Sequence, residues 1–366
     1  MSEKGLKVPP FPFMVPGILS LLLALWAGVS RLPWALPGGE ALVPLHGALM
    51  VGGFLGTVIA VERAAALGRL WTWVAPLCTG LGTLVMLGAL GIKPAGPDLP
   101  IRAGAFMLMI GGAVYAASSL LIYRIQKSLF NIVIGLGGVA FFLANLLLLL
   151  GFAVWAIIPL WAAFLVLTIS GERLELNRLL APRPADLVPF HLALVLMFAG
   201  LAAWLFMGTE LGSCLWGSSM ILLALWLLIK DIARKTVKMT GVTRYVAVCL
   251  LSGYVWLLIS GILNLLHPGA TAGPPYDAIW HALFVGFVLS MIFGHAPIIV
   301  PALTGIMVEF RPVFYVPLVL LHASLAMRIG GDLLNLMLLR RVGGLVNALV
   351  VLLFVVILRM SLRRLP

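Results

Sequence analysis

Long runs of apolar residues make up almost the whole chain, and short stretches of charged residues, glycine and proline separate them. Each run has about 20 residues, the length that an α-helix needs to cross the hydrocarbon core of a bilayer. The pattern predicts an all-α polytopic membrane helix bundle of about twelve transmembrane helices, forming a single integral membrane domain over residues 1–366. The predicted spans are 14–34, 42–61, 71–92, 102–123, 129–150, 153–170, 187–207, 213–230, 244–266, 278–300, 312–329 and 337–358.

The composition favours the same interpretation and excludes a soluble fold. Of the 366 residues, 63% are hydrophobic and 10% are charged, which leaves too few polar groups to cover the surface of a soluble domain. Pro9, Pro10 and Pro12 interrupt the segment after Lys4 and Lys7, so we expect a retained first helix instead of a cleaved signal peptide. No clean internal repeat is evident. The three cysteines lie in apolar runs and are interpreted as small buried residues.

The net charge of +12 is explained by the loops and does not indicate nucleic acid as a partner. With a cytoplasmic N-terminus, 18 of the 24 lysines and arginines fall on the cytoplasmic side, and the outer side holds only six, Arg328 and Arg340 among them. The positive-inside rule then predicts a multi-pass protein of the cytoplasmic (inner) membrane with both termini in the cytoplasm. Its main partner is the lipid bilayer. The Gly/Pro-rich outer connection 267–277 is predicted to be irregular.

Two histidines lie inside segments that contain almost no other ionisable group. His46 opens HGALMVGGFLGTVIAV and His281 opens HALFVGFVLSMIFGHAPIIVPAL. The predicted topology places both at the outer ends of their helices, the second and the tenth, and so at similar depth. Two neutral imidazoles on different helices can ligate one haem iron from opposite faces, which offsets the cost of placing them in hydrocarbon. The alternative, that each bonds a serine or a carbonyl at a helix interface, stays open.

Small residues recur along the helices that carry both histidines. Gly53, Thr57 and Ala60 return to the face of His46, and small side chains on that face admit either a porphyrin or a neighbouring helix. Two rows of small residues are equally typical of ordinary packing between membrane helices: Gly52, Gly56 and Ala60, and Gly286, Ser290 and Gly294.

A second group of histidines lies deeper. His295 follows His281 by fourteen residues, roughly 21 Å along an α-helix, so the two cannot share a small metal ion. His295 and His322 fall on adjacent predicted helices and together suit a second metal site, with copper or iron favoured by imidazole ligands. Hydrogen-bonded or unrelated positions in the core are the alternative. His191 and His267 are predicted to have no role as ligands.

The segments PLHGALMVGGFLGTVIAVERA and WHALFVGFVLSMIFGHAPIIVPAL resemble the NnrS family and, more distantly, heme-copper oxidase subunit I. The resemblance implies a heme-copper-oxidase-subunit-I-like arrangement of twelve helices and a haem, b-type, held by His46 and His281. It makes His295 and His322 candidates for a second metal site, with copper as one candidate ion. It also implies a link to the nitric oxide response or to membrane redox and metal handling, with a redox partner protein.

The departures from that family exclude an oxygen-reducing centre. The chain has no adjacent pair of histidines, no His-x-His in the tenth helix and no histidine in the sixth, so we assign no catalytic residues. Two other functions stay open. One is a twelve-helix secondary transporter, although the chain lacks an internal repeat and a carboxylate at mid-membrane. The other is a non-catalytic membrane subunit or assembly factor.

Overall fold

The computed structural model describes residues 8–34, 36–90 and 98–363. The last two residues of the predicted span 71–92 therefore lie outside the described residues. Four of the basic residues behind the predicted charge bias also lie outside them: Lys4, Lys7, Lys93 and Arg364.

Eleven helices among the described residues are long and apolar enough to cross a membrane. The chain is therefore a multi-pass membrane protein of the all-α class, as the apolar pattern predicts. One shorter apolar helix, α3, falls on the predicted span 71–92, and each of the other predicted spans overlaps a long helix. In chain order the helices are α1 Phe11–Arg31, α2 Ala48–Leu67, α3 Leu70–Met86, α4 Leu99–Ile125, α5 Leu129–Leu149, α6 Val154–Leu180, α7 Pro184–Phe206, α8 Thr209–Lys230, α9 Gly241–Leu266, α10 Gly273–Thr304, α11 Pro312–Leu333 and α12 Met337–Met360.

Short helical turns connect several of these helices. Gly39–Leu42 and the 3₁₀ turn Val43–Leu45 lead into α2, and Ala233–Thr236 lies between α8 and α9. Gly68 and Gly305 end α2 and α10 with φ angles of 62° and 71°. This left-handed conformation suits glycine, because a Cβ atom would be strained there.

Two short strands lie beside the ends of α10 and α12. β1, Met307–Val308, pairs antiparallel with β2, Leu362–Arg363. The Glu309 carboxylate lies 3.0 Å from the Arg311 guanidinium and 2.6 Å from that of Arg363. The hydrogen bond from Arg311 holds the pKa of Glu309 below its ordinary value. These contacts tie the segment after α10 to the segment after α12.

The chain divides into two compact units, Met1–Glu172 and Arg173–Pro366. In the first unit, a row of glycines on α2 admits close neighbours. A Cβ at Gly52 would lie 2.9 Å from the Leu108 side chain of α4, and one at Gly56 would lie 3.0 Å from Phe141 of α5. The predicted row of small residues on α2 is therefore a packing seam between helices.

In the second unit, α10 packs against α9 through its own row of small residues. Gly286 lies against the Trp256 side chain, and a Cβ at Gly294 would lie 3.0 Å from Cys249 Cβ. Ser290, the middle member of the row, is fully buried. This row of small residues therefore forms a packing contact between two helices, as such rows commonly do.

Candidate functional site

His46 follows the 3₁₀ turn that precedes α2, and its ring lies against α1. Its Nδ1 atom is 2.8 Å from the main-chain oxygen of Ala24. Since a carbonyl oxygen can only accept, Nδ1 carries the proton and donates it, and the lone pair of the neutral ring is on Nε2. A Cβ at Gly28 would come within 2.8 Å of Cε1 of the ring. Helix α1 therefore fixes both the tautomer and the position of His46.

Gly28→Ala should displace the His46 ring, because the new methyl group needs the space that Cε1 occupies. We expect a loss of about 1–3 kcal/mol in the free energy of unfolding, the usual cost of overpacking a tight contact. Gly135→Ala in α5 is the matched control, since a Cβ there would meet only Ser119 Cβ, at an ordinary 3.6 Å. Denaturant titration in detergent measures both variants, and equal stabilities would contradict the tight contact.

The face of α2 below His46 is occupied by protein. A Cβ at Gly17 of α1 would lie 3.2 Å from Thr57 Cβ, and Gly53 lies against the Ser20 side chain of the same helix. Gly53 and Thr57 thus share the α1 side with His46, as the spacing predicts. Small residues on this face admit either a porphyrin or a neighbouring helix, and in the structure the neighbour is helix α1.

His281 has the same tautomer in the second unit. Its Nδ1 is 2.8 Å from the main-chain oxygen of Asp277, one turn earlier in α10, so this bond also fixes the lone pair on Nε2. The Asp277 carboxylate is close as well, with Oδ1 at 3.4 Å from the same nitrogen. The side chain of His281 is 19% exposed and that of Asp277 is 8% exposed.

The Asp277 carboxylate belongs to a buried charge network that joins α10, α11 and α12. Arg328 Nε and Nη2 donate to its two oxygens at 2.8 and 3.0 Å. Arg340 Nη2 is 4.0 Å from Asp277 Oδ1, and its Nε is 2.8 Å from Oδ1 of Asp332. In the sequence, Arg328 and Arg340 are interpreted only as charges on the outer side. In the structure they pair with carboxylates, and the Arg328 side chain is only 8% exposed.

Asp277 was not singled out from the sequence, because the connection 267–277 was predicted to be irregular. That prediction is wrong in its second half, since α10 begins at Gly273. Pro274 and Pro275 occupy its first turn, where no hydrogen bond is lost because the first N–H groups of a helix have no intrahelical acceptor. The spacing of four residues between Asp277 and His281 was the signal that could have identified the pair.

Each candidate histidine precedes a π-helical segment. Ala48–Leu55 forms one within α2 and Ala282–Leu289 forms one within α10. Their sequences, ALMVGGFL and ALFVGFVL, agree at positions one, two, four, five and eight, a short repeat that the sequence analysis missed. π-helices are rare and often occur at functional sites, so each segment is a candidate for such a site.

His322 has both ring nitrogens in hydrogen bonds between α9 and α11. Trp256 Nε1 donates to Nδ1 at 2.9 Å, so the neutral ring carries its proton on Nε2 and donates it to Ser252 Oγ, also at 2.9 Å. The Ser252 hydroxyl then donates to the main-chain oxygen of Val248 at 2.8 Å. His295 is half-buried in α10. His322 is therefore a hydrogen-bonded residue of the core, which is the alternative to a second metal site.

Among residues 8–34, 36–90 and 98–363, no group of three or more His, Cys, Asp or Glu side chains could hold a metal ion. A haem iron does not depend on such a group, because the porphyrin supplies four ligands and the protein only one or two. The donor chemistry of His46 and His281 fits that smaller requirement. A ligating histidine usually donates its other ring N–H to a carbonyl or carboxylate, and both residues do so.

The helices define a polytopic membrane protein of the all-α class, and the chain belongs to a named family within it. The family model described as "Domain of unknown function (DUF8744)" matches residues 10–363, nearly the whole chain. No curated protein and no solved structure matches the chain. The resemblance to the NnrS family and to heme-copper oxidase subunit I, based on the two histidine-containing segments and the predicted number of helices, stays a prediction.

Proposed function

We propose that this protein is a haem-binding integral membrane protein of the NnrS type, in which His46 and His281 would hold b-type haem. The proposal includes α3 as a twelfth spanning helix, a heme-copper-oxidase-subunit-I-like arrangement, and both termini in the cytoplasm at the inner membrane. It places the protein in the nitric oxide response or in membrane redox and metal handling, with a redox partner protein.

The observation that carries the proposal is the shared geometry of the two histidines. Each donates Nδ1–H at 2.8 Å to a main-chain oxygen and keeps its lone pair on Nε2, the state in which imidazole binds iron. Each also precedes one of the two related π-helical segments. His191 has the same main-chain anchor within an ordinary α-helix, so the π-helical segment that follows each residue is what distinguishes His46 and His281 from it.

When bound, haem would supply one-electron redox chemistry and a site for nitric oxide. The residues of this chain would orient the two imidazole rings. Ala24 and Asp277 hold the proton at Nδ1, and Gly28 leaves room for the His46 ring. A copper site at His295 and His322 is not part of the proposal, because both nitrogens of His322 already bond Trp256 and Ser252.

The test is the absorption spectrum of the full-length protein, purified from cells with ample haem. We expect Soret and α bands of b-type haem that sharpen on reduction, with a haem-to-protein ratio near one or two. Metal analysis of the same sample should find iron in proportion to haem. A wild-type protein that folds but carries no haem under these conditions contradicts the proposal.

A further inference from the structure

We propose that Asp277 is a positioning residue that sets the charge beside His281 and thereby lowers the midpoint potential of the haem bound there. This inference rests on the proposed function of His281 as an axial ligand. Asp277 acts through the imidazole and contributes in two separable ways, one through its main chain and one through its side chain.

The main-chain part of Asp277 fixes the proton of the ring. Its carbonyl oxygen, one turn earlier in the helix, accepts the Nδ1–H bond at 2.8 Å. Substitution of the side chain leaves this carbonyl in place. The tautomer and the ring position of His281 should therefore survive a change that removes only the carboxylate.

The side-chain part of Asp277 places a negative charge beside the same N–H group. Oδ1 lies 3.4 Å from Nδ1, and the two-pronged bond from Arg328 prevents the carboxylate from turning away. The carboxylate is 92% shielded from solvent, so its field at the ring is screened less than it would be at the surface. A carboxylate beside a ligating histidine increases the basicity of the ring and favours the oxidised iron.

The other charges of the network determine the sign of the effect. Arg328 and Arg340 both lie near the Asp277 carboxylate, and Asp332 pairs with Arg340. Removing the Asp277 charge takes one negative charge away from Arg328, Arg340 and the His281 ring. The surroundings of His281 then become more positive, which favours the reduced iron because that state carries one positive charge fewer.

The chain offers a closely matched control carboxylate in the same unit. Arg173 Nε and Nη2 donate to Asp231 at 2.8 and 3.0 Å, the same fork as that of Arg328 with Asp277. The Asp231 carboxylate also accepts the N–H of Ala233, at 2.7 Å. Both pairs are buried, so an Asp→Asn change at either site carries a similar risk to folding.

The experiment compares redox titrations of the haem-loaded wild type, Asp277→Asn and Asp231→Asn. We expect the midpoint potential to rise in Asp277→Asn and to stay at the wild-type value in Asp231→Asn, with haem content and α-band position retained in both. Equal potentials in all three proteins, or equal shifts in both variants, would overturn the role of Asp277. A wild type without haem would instead overturn the proposed function, and this inference with it.

If Asp277→Asn fails to fold, Asp277→Glu tests the role of the carboxylate instead, because it keeps the charge and the main-chain carbonyl. We expect Asp277→Glu to bind haem with a potential closer to the wild type than to any variant that lacks the charge, such as Asp277→Ser. If Asp277→Glu and Asp277→Ser have the same potential, the carboxylate does not set the charge at His281.

Discussion

Protein carrying His46→Ala or His281→Ala should lose most of its haem spectrum. Changes to groups that merely orient a ligand already weaken metal binding by roughly 10- to 100-fold, so loss of an axial imidazole should cost at least that much. The haem-to-protein ratio of each purified variant measures the loss. If both imidazoles serve one iron, either variant loses all low-spin haem, and if each serves its own iron, each variant loses about half.

His191→Ala is the matched control for this loss. The Nδ1 atom of His191 lies 2.8 Å from the main-chain oxygen of Leu187, the same anchor as that of His46 and His281, but the residue is exposed. Its replacement should leave the haem content unchanged, as should His267→Ala at the end of α9. A haem loss of the same size in all four variants would break the assignment of His46 and His281.

Most of the helices could be predicted from the sequence because the bilayer imposes a length. Eleven of the predicted spans overlap long helices, and the exception, α3, is a shorter helix followed by the 3₁₀ turn Leu87–Leu90. The start of α10 was not predicted. Glycine and prolines at 273–275 are typical of a loop, yet proline is also well suited to the first turn of a helix, and sequence pattern alone does not separate the two.

The candidate site could be predicted only in its histidines. His46 and His281 are conspicuous because an imidazole in an apolar run is costly. The anchor of His46 is a main-chain carbonyl, which every residue has, so no residue type indicates Ala24, whereas Asp277 had a signal in its four-residue spacing from His281. The bond between Arg328 and Asp277 joins positions 51 residues apart and depends on how α10 and α11 pack.

The small residues on the face of His46 show what helical spacing can and cannot predict. Gly53 and Thr57 were correctly predicted to share the side of His46, since helical spacing determines which residues share a face. The spacing does not determine what covers that face. A small side chain permits a porphyrin and a helix equally, and only the tertiary structure shows that α1 packs there.

Asp231→Ala should destabilise the protein strongly because it leaves the Arg173 guanidinium buried without its carboxylate. The Arg173 and Asp231 side chains are 7% and 0% exposed, and breaking a buried ion pair by removing one partner typically costs about 3–5 kcal/mol. Denaturant unfolding of the full chain in detergent measures the loss. Asp186→Ala, which breaks the exposed pair with Lys230, should shift the unfolding midpoint much less.

The double variant Arg173→Met with Asp231→Leu separates the two origins of that loss. If the cost of Asp231→Ala comes from an uncompensated buried charge, removing both charges and keeping the volume should restore much of the stability. If the double variant is as unstable as Asp231→Ala, the hydrogen bonds of the Asp231 carboxylate supply the stability. Those bonds come from Arg173 in α6 and from the N–H of Ala233, in the turn after α8. The first outcome is expected, because the attraction between two buried charges rarely exceeds the free energy needed to remove both from water.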